Sequence, residues 1–247
     1  MTLPIIQSAP PSLGVGSVVQ AWDADLDALA ALTGTNTIYY RSAANTWTAV
    51  TIGSGLSFSS GTLSSSGSST LVALERKSGT GDVGSLDFST GINSTYRTYI
   101  LKGWMKPATD QVALWIRGSD DGGSTYEADA SDYSWENSGQ GSGTYYAVGD
   151  VADSELEIYL SATTYLIGNA SNEKIDFEIT FQNPSSAAFY KNFKWWFAYN
   201  RASDSVVMEG QGGGSMLATA AMNAVRLLFS SGNIDEYDVT LYAVANS

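Results

Sequence analysis

The stretch Ile175-Asp176-Phe177-Glu178-Ile179-Thr180-Phe181 decides the fold class. Apolar and polar side chains alternate at every step, which is the pattern of a β-strand with one face in a core and the other in solvent. Val112, Leu114 and Ile116 share one face of a second such strand. Further short strands follow from residue 71 onward, separated by turns rich in Gly, Ser and Asn. The sequence therefore predicts a mainly β protein with a C-terminal β-sandwich or jelly-roll domain over residues 71–247.

The first 70 residues form a separate region in this interpretation. Three prolines in residues 1–20 favour an extended arm. A short helix is predicted over residues 23–32, and the short strands after it are too short to form a core by themselves. Intertwining with copies of the same chain would supply that core. Apolar residues of the arm are predicted to dock on another surface, namely Leu3, Ile5 and Ile6.

Composition excludes several classes of function. The chain contains neither Cys nor His, so disulfides, thiol nucleophiles and Ser-His-Asp triads are absent. Its formal net charge of −13 repels phosphate backbones, which argues against nucleic-acid binding. No apolar stretch reaches the ~20 residues of a membrane span, and the N-terminus lacks the pattern of a secretory signal. We therefore expect synthesis in a cytoplasm and no membrane insertion.

Aromatic residues supply the candidate recognition surface. Trp195 and Trp196 are adjacent in the densest aromatic run, and neighbours in a strand point to opposite faces. At most one of them lines the core, so the other meets solvent, a ligand or another subunit. An exposed Trp beside Lys194 could stack on a sugar or anchor a subunit contact. The pattern favours a subunit contact, or burial of both sheet faces, over sugar stacking. The full set of glycan-binding candidates is Trp195, Trp196, Tyr145, Tyr146 and Trp135, the tyrosines being expected in or near a Gly-rich loop.

Acidic residues dominate one part of the chain. Every charged residue from Gly118 to Glu173 is an Asp or a Glu. Such a set could bind calcium or provide the carboxylate pair of a glycoside hydrolase, although neither ligand spacing is recognisable and solvated carboxylates are the alternative. The candidate calcium ligands are Asp121, Asp129 and Asp132. No other cofactor is expected.

Two glycine-containing segments are interpreted as turns. Ser119-Asp120-Asp121-Gly122-Gly123-Ser124-Thr125-Tyr126 resembles the Asp-box, in which the Asp accepts backbone N–H bonds across a β-hairpin and the aromatic residue tucks beneath it. Gln211-Gly212-Gly213-Gly214-Ser215 lacks the Lys and Ser or Thr that end a phosphate-binding loop, so a flexible hairpin is predicted there.

Several segments resemble proteins of tailed-phage virions. Residues 14–32 are similar to a segment common in tail-fibre proteins, and residues 52–63 resemble the Gly-Leu-Ser and Gly-Thr-Leu phrases of the same fibres. Short stretches within residues 86–99, 119–135 and 225–234 resemble a β-sandwich domain of phage structural proteins. The resemblance touches both ends and the middle of the chain, in phrases of low complexity.

This resemblance implies a short tail or head fibre that is a homotrimer located in the virion. Within residues 1–70 the N-terminal arm would attach to other virion proteins and the helix and short strands would wind with their copies, while the C-terminal sandwich would point outward. Binding of host-surface glycan by that sandwich is a hypothesis that rests on the aromatic candidates named above. The resemblance transfers no catalytic residue, and we expect no enzymatic activity. Two alternatives stay open: a capsid decoration or cement protein without a receptor, and a carboxylate-based glycan depolymerase.

Overall fold

The structure is a computed structural model that describes residues 24–53, 55–65, 71–160 and 165–245. Contacts divide the chain into two units, Met1–Ser68 and Ser69–Ser247. Both units are built mainly from antiparallel β-strands, as the sequence predicts. Among the described residues, no helix has the length and apolar character needed to cross a membrane.

The N-terminal unit consists of one short helix and two β-hairpins. Helix α1 spans Ala24–Ala30, hairpin β1–β2 spans Tyr39–Ala43 and Thr46–Ala49, and hairpin β3–β4 spans Leu56–Ser59 and Thr62–Ser65. The Asp25 carboxylate accepts hydrogen bonds from the Arg41 guanidinium and the Asn45 backbone N–H, which fixes α1 to the first hairpin. The Arg41 hydrogen bond also lowers the pKa of Asp25. No described residue of this unit is buried.

The C-terminal unit contains twelve strands in two sheets. An eight-stranded sheet has the order β10-β9-β14-β13-β12-β7-β16-β5, and a four-stranded sheet has the order β11-β8-β15-β6. The strands of the large sheet are β5 (Leu71–Val83), β7 (Thr98–Pro107), β9 (Tyr133–Gly141), β10 (Thr144–Asp153), β12 (Ile175–Gln182), β13 (Lys191–Asn200), β14 (Val207–Met216) and β16 (Ile234–Val244). Those of the small sheet are β6 (Leu86–Phe88), β8 (Leu114–Ser119), β11 (Leu156–Ile158) and β15 (Ala224–Phe229).

The strands pair in a nested order. β7 pairs with β16, β8 pairs with β15, and β9 pairs with β14, all antiparallel. Successive strands from the first half thus meet strands from the second half in reverse order. This is how a chain doubles back on itself in a jelly roll.

One hydrophobic core joins the inner faces of the two sheets. Leu114, Ile116 and Leu227 enter it from the small sheet, while Phe177 and Phe197 enter it from the large sheet. The alternation in residues 175–181 matches the observed burial, since the apolar residues are buried and the intervening polar residues are not. Each buried aromatic side chain stabilises the fold by about 1.5–3 kcal/mol relative to exposure. The outer face of the large sheet is left to polar side chains and a few aromatic ones.

The glycine-rich segment after residue 210 is part of a strand, so the prediction of a flexible hairpin there was wrong. Gly212 to Gly214 pair with β13 on one side and β9 on the other. Tyr145 and Tyr146, which were expected in or near a Gly-rich loop, lie in β10, close to the turn at Ser142 and Gly143 that joins it to β9. Glycine has low strand propensity on its own, but two flanking ladders provide the hydrogen bonds that propensity does not measure.

Candidate functional site

Strand β13 carries the aromatic run, and its residues alternate strictly between the two faces. Phe193, Trp195 and Phe197 are buried, whereas Lys194 and Trp196 are exposed. Trp195 is 3% exposed and Trp196 is 51% exposed. The expected division between a core Trp and an outward Trp is therefore observed. Trp196 projects from the middle of the outer face of the eight-stranded sheet.

The registers place polar side chains beside Trp196. One row crosses the outer face of six neighbouring strands, and it consists of Ala147, Ser138, Gln211, Trp196, Glu178 and Lys102. The next row includes Glu136, Gly213, Lys194 and Thr180. Tyr145 belongs to the row on the other side, opposite Gln140. Trp196 is thus surrounded by groups that can donate or accept hydrogen bonds.

These rows line an open groove of about 690 Å³. Trp196 and Lys194 stand on one side of it, and Tyr145 and Glu136 stand on the other. Gly213 lies on the floor between them, where an added Cβ would meet only the Phe193 carbonyl oxygen, at 3.2 Å. The absence of a side chain at this outward position keeps the groove open, in line with the use of strand glycines where a ligand approaches the backbone.

The inner side of the groove is fixed by a buried hydrogen-bond network. The Trp195 indole N–H donates to Asn137 Oδ1 at 2.7 Å, and Asn137 Nδ2 donates to the Glu157 carbonyl oxygen at 2.9 Å. Gly212 leaves room for this network, because a Cβ there would lie 2.2 Å from Asn137 Oδ1. The network links the large sheet to the small one and sets which faces of β9 and β13 point outward.

Some acidic side chains of the groove are ion-paired or hydrogen-bonded to neighbouring side chains, whereas other polar side chains there have no such partner among the described residues. Lys102 Nζ lies 2.9 Å from a Glu178 carboxylate oxygen, and Gln140 Nε2 donates to Glu209 at 3.1 Å. Among the residues that the structure describes, Lys194, Glu136 and Gln211 make neither a side-chain hydrogen bond nor an ion pair. Hydrogen-bonding groups without protein partners beside an exposed indole are available to a ligand.

The five glycan-binding candidates divide between the two faces. Trp196 and Tyr145 line the groove, and Tyr145 is 72% exposed. Trp195 and Trp135 are buried, with the Trp135 indole N–H donating to Asp153 Oδ2 at 2.9 Å. Tyr146 faces inward and meets Tyr165 edge-on at a centroid distance of 5.5 Å. Trp195, Trp135 and Tyr146 therefore belong to the interior, because each shares the inward parity of its strand.

The three calcium candidates do not form a common site. Asp121 is used locally: it accepts hydrogen bonds from the Thr125 N–H, the Thr125 hydroxyl and the Ser119 hydroxyl, which lower its pKa to about 2. Asp132 accepts the backbone N–H of Asp129 at 2.6 Å. Over the described parts of the chain, no three acidic side chains converge as metal ligands. The carboxylates here organise their own loops.

The Asp-box contacts are present, but the hairpin interpretation was wrong. Gly123 has a φ of 87°, and an added Cβ there would lie 2.9 Å from the Tyr126 hydroxyl. The loop follows β8 of the small sheet and leads to β9 of the large sheet, so it crosses between sheets. The motif specifies a turn, whereas the pairing partners of the flanking strands are set by distant residues.

A partly buried carboxylate lies on the small sheet. Glu157 faces away from the core between the buried residues Leu156 and Ile158 of β11, opposite Trp115 of β8. Burial, reinforced by the Asp153 carboxylate, raises the pKa of Glu157 to about 7. Glu155 next to it is ion-paired with Arg117 at 2.7 Å. This cluster is separate from the groove.

Two exposed aromatic residues were missed by the sequence analysis. Phe189 is 71% exposed and Tyr190 is 54% exposed, directly before β13. Their position next to the aromatic run was the available signal. The proposed anchoring residues Leu3, Ile5 and Ile6 lie outside the described residues.

No protein-family model, no curated protein and no solved structure matches the chain. The features of the structure that bear on function are the groove with Trp196 and the exposed apolar residues of the N-terminal unit.

Proposed function

We propose that the chain is a structural attachment protein of a tailed-phage virion, a short tail or head fibre whose sandwich binds host-surface glycan without cleaving it. The observation that carries the glycan part is the pair Trp196 and Tyr145, exposed on opposite sides of one polar groove. The virion part rests on the resemblance of the sequence segments described above. The two parts are tested separately.

The groove has the chemistry that sugars require. A pyranose ring presents an apolar C–H face and a rim of hydroxyl groups, so it is matched by an aromatic plane flanked by donors and acceptors. Trp196 supplies the plane, and Lys194, Gln211 and Glu136 supply polar groups that have no partner among the described residues. Stacking of one sugar on an indole contributes on the order of 1.4 kcal/mol, which corresponds to about tenfold in affinity.

Binding without hydrolysis is favoured by the state of the groove acids. Glu178 is ion-paired with Lys102, and Glu209 accepts a hydrogen bond from Gln140. A glycosidase needs two carboxylates facing the scissile bond from either side, one of them protonated. Glu136 is then the acid of the groove that has no side-chain partner among the described residues, and a single available carboxylate is not the pair that glycoside hydrolysis requires.

A homotrimer would cover the apolar residues that the N-terminal unit exposes in a single chain. Its apolar residues are exposed in the single chain, with exposures of 44% for Leu29, 48% for Leu56 and 54% for Leu63. Since none of the described residues of this unit is buried, they gain little hydrophobic stabilisation until another surface covers them. Two further copies would do so, and light scattering on the full chain should give three times 26.2 kDa. A monomer at micromolar concentration contradicts this part of the proposal.

The glycan part is tested with the full chain and an immobilised panel of purified bacterial lipopolysaccharides and capsular polysaccharides. Wild type should bind at least one of them, and Trp196→Ala should lower that affinity about tenfold. Trp104→Ala is the matched control, since Trp104 lies on the same outer face but outside the groove, with Lys174 Nζ 5.2 Å from its ring centroid. Equal losses for both variants, or a lower oligomer mass for Trp196→Ala, would contradict glycan binding in the groove.

The location of the protein is tested by a cryo-EM map of the intact particle. A projecting sandwich with residues 1–70 seated on the tail or head supports the fibre. Sandwiches lying flat between capsid subunits, with the groove covered, would show a decoration protein instead.

A further inference from the structure

The groove continues beyond Trp196 along the outer face of the sheet. A second depression around Tyr145 and Trp196 shares both residues with the groove. A third depression, of about 360 Å³, shares Thr180 and Lys194 with it. The three form one track that runs from Tyr145, past Trp196 and Lys194, to the segment before β13. We call this surface the outer-face track.

The far end of the track carries a second aromatic platform. Phe189 and Tyr190 line the third depression and are mostly exposed. Tyr190 precedes Trp196 by six residues along an extended strand, which at about 3.3 Å per residue separates the two platforms by about 20 Å. One sugar covers one platform. A ligand that contacts both has to be a chain of several sugars.

The second platform is held in place from beneath. The Lys191 side chain is 1% exposed and points inward, and its ammonium donates to the Phe189 carbonyl oxygen at 2.7 Å and to the Thr219 carbonyl oxygen at 3.2 Å. These bonds tie the backbone of the platform to the loop after β14. A platform fixed before binding loses less conformational entropy when a ligand arrives.

The charges along the track oppose a polyanionic ligand. Lys194 stands between the two platforms, but Glu136, Glu178 and Glu209 line the same surface, and the chain as a whole carries a formal charge of −13. A uniformly acidic polysaccharide would be repelled by this field. Hydroxyl groups of a neutral sugar can accept from the Lys194 ammonium and donate to the Glu136 carboxylate.

We infer that the outer-face track binds the interior of a linear, neutral polysaccharide chain, with Trp196 and Tyr145 forming one subsite and Phe189 and Tyr190 the other. This inference rests on the proposed glycan binding and extends it from a single sugar to a chain. It separates recognition of a chain interior from recognition of a terminal sugar, which would need only the Trp196 subsite.

The test uses the panel polysaccharide that binds best, together with its size-fractionated hydrolysis fragments, and the full-length protein. Affinity of the wild type should rise with fragment length and level off once a fragment spans about 20 Å. The double variant Phe189→Ala, Tyr190→Ala should bind long fragments about tenfold more weakly and lose the length dependence, while binding the shortest fragments as wild type does. Trp196→Ala should weaken both, and Trp104→Ala neither.

The outcomes separate the two proposals. If the double variant binds long fragments as wild type does while Trp196→Ala is impaired, the chain-binding inference fails and glycan binding at Trp196 stands. If Trp196→Ala also binds normally, both fail. Affinity should change little between 50 and 500 mM NaCl, since a neutral ligand is not screened, so a steep fall with salt would overturn the neutral class. Because Phe189 and Tyr190 are exposed, the double variant should keep the melting temperature of the wild type.

Discussion

Asn137 should be among the most sensitive positions of the sandwich. It is fully buried, at 0% exposure, and its amide joins the Trp195 indole N–H to the Glu157 carbonyl oxygen. The side chain therefore connects β9 to β13 within the large sheet and to β11 of the small sheet. Asn137→Leu keeps the side-chain volume close to the original and removes both hydrogen bonds.

The cost follows from what the substitution leaves behind. The Trp195 N–H would stay buried without an acceptor, which costs about 2 kcal/mol, and loss of the bond to the Glu157 carbonyl adds about 1 kcal/mol. We therefore expect the free energy of unfolding to fall by about 3 kcal/mol. For a sandwich of this size, that is a substantial part of the total stability.

Urea denaturation of the full chain, followed by tryptophan fluorescence, measures this loss. Ser138→Ala is the matched control, because Ser138 is the next residue of β9, faces the groove and makes no side-chain hydrogen bond among the described residues. The control should change stability by less than about 0.5 kcal/mol. A loss below about 1 kcal/mol for Asn137→Leu would refute the view that this network joins the sheets.

Two further predictions concern the glycines of β14 and the partly buried carboxylate of β11. Gly212→Ala should unfold the sandwich or lower its melting temperature sharply, because the added Cβ would lie 2.2 Å from Asn137 Oδ1. Gly213→Ala should fold normally, since its Cβ would meet only the Phe193 carbonyl oxygen, at 3.2 Å. Equal melting temperatures for the two variants would contradict the assignment of Gly212 to the inner face and Gly213 to the outer face. Glu157 has a pKa raised from 4.5 to about 7. The wild type should thus lose stability as the pH rises through this interval, because the unfolded chain releases the proton first. Glu157→Gln should remove up to about 2 kcal/mol of that dependence, less than the about 3 kcal/mol of the full shift because solvent screens the partly exposed carboxylate. Urea denaturation at pH 5 and pH 8 checks this, and an unchanged dependence in the variant would count against it.

The sequence was sufficient to predict which faces of the central strands are buried. The period-two pattern of residues 175–181 specifies one apolar face, and the same logic requires Trp195 and Trp196 to point apart. The same period-two pattern also indicates which of the two tryptophans points inward. Phe193 and Phe197 share the parity of Trp195, so a consistent inward face was readable from the neighbours.

The glycine-rich strand could not be predicted in the same way. Local propensity disfavours Gly212 and its neighbours in a strand, and turn chemistry explains the same residues equally well. What places them in β14 is tertiary: Asn137 and Trp195 occupy the space that a side chain at Gly212 would need. Those partners are distant in sequence, so no local pattern contains the information.

The candidate site was only partly predictable for a related reason. Trp196 and Tyr145 were identified from their type and neighbours, but their meeting on one groove depends on β9 and β14 lying between them. The calcium candidates show the converse, namely that residues near each other in sequence need not share a site. Asp121 and Asp132 are near each other in sequence, yet each accepts hydrogen bonds from its own loop.

A crystal structure of the full chain with bound fragments of the best-binding panel polysaccharide tests the central claim most directly. We predict a sugar ring stacked on the outward face of the Trp196 indole, with neighbouring sugars following the track toward Tyr190. Sugar density in the loops at the ends of the strands, with the outer face of the eight-stranded sheet empty or covered by another copy of the chain, would contradict it.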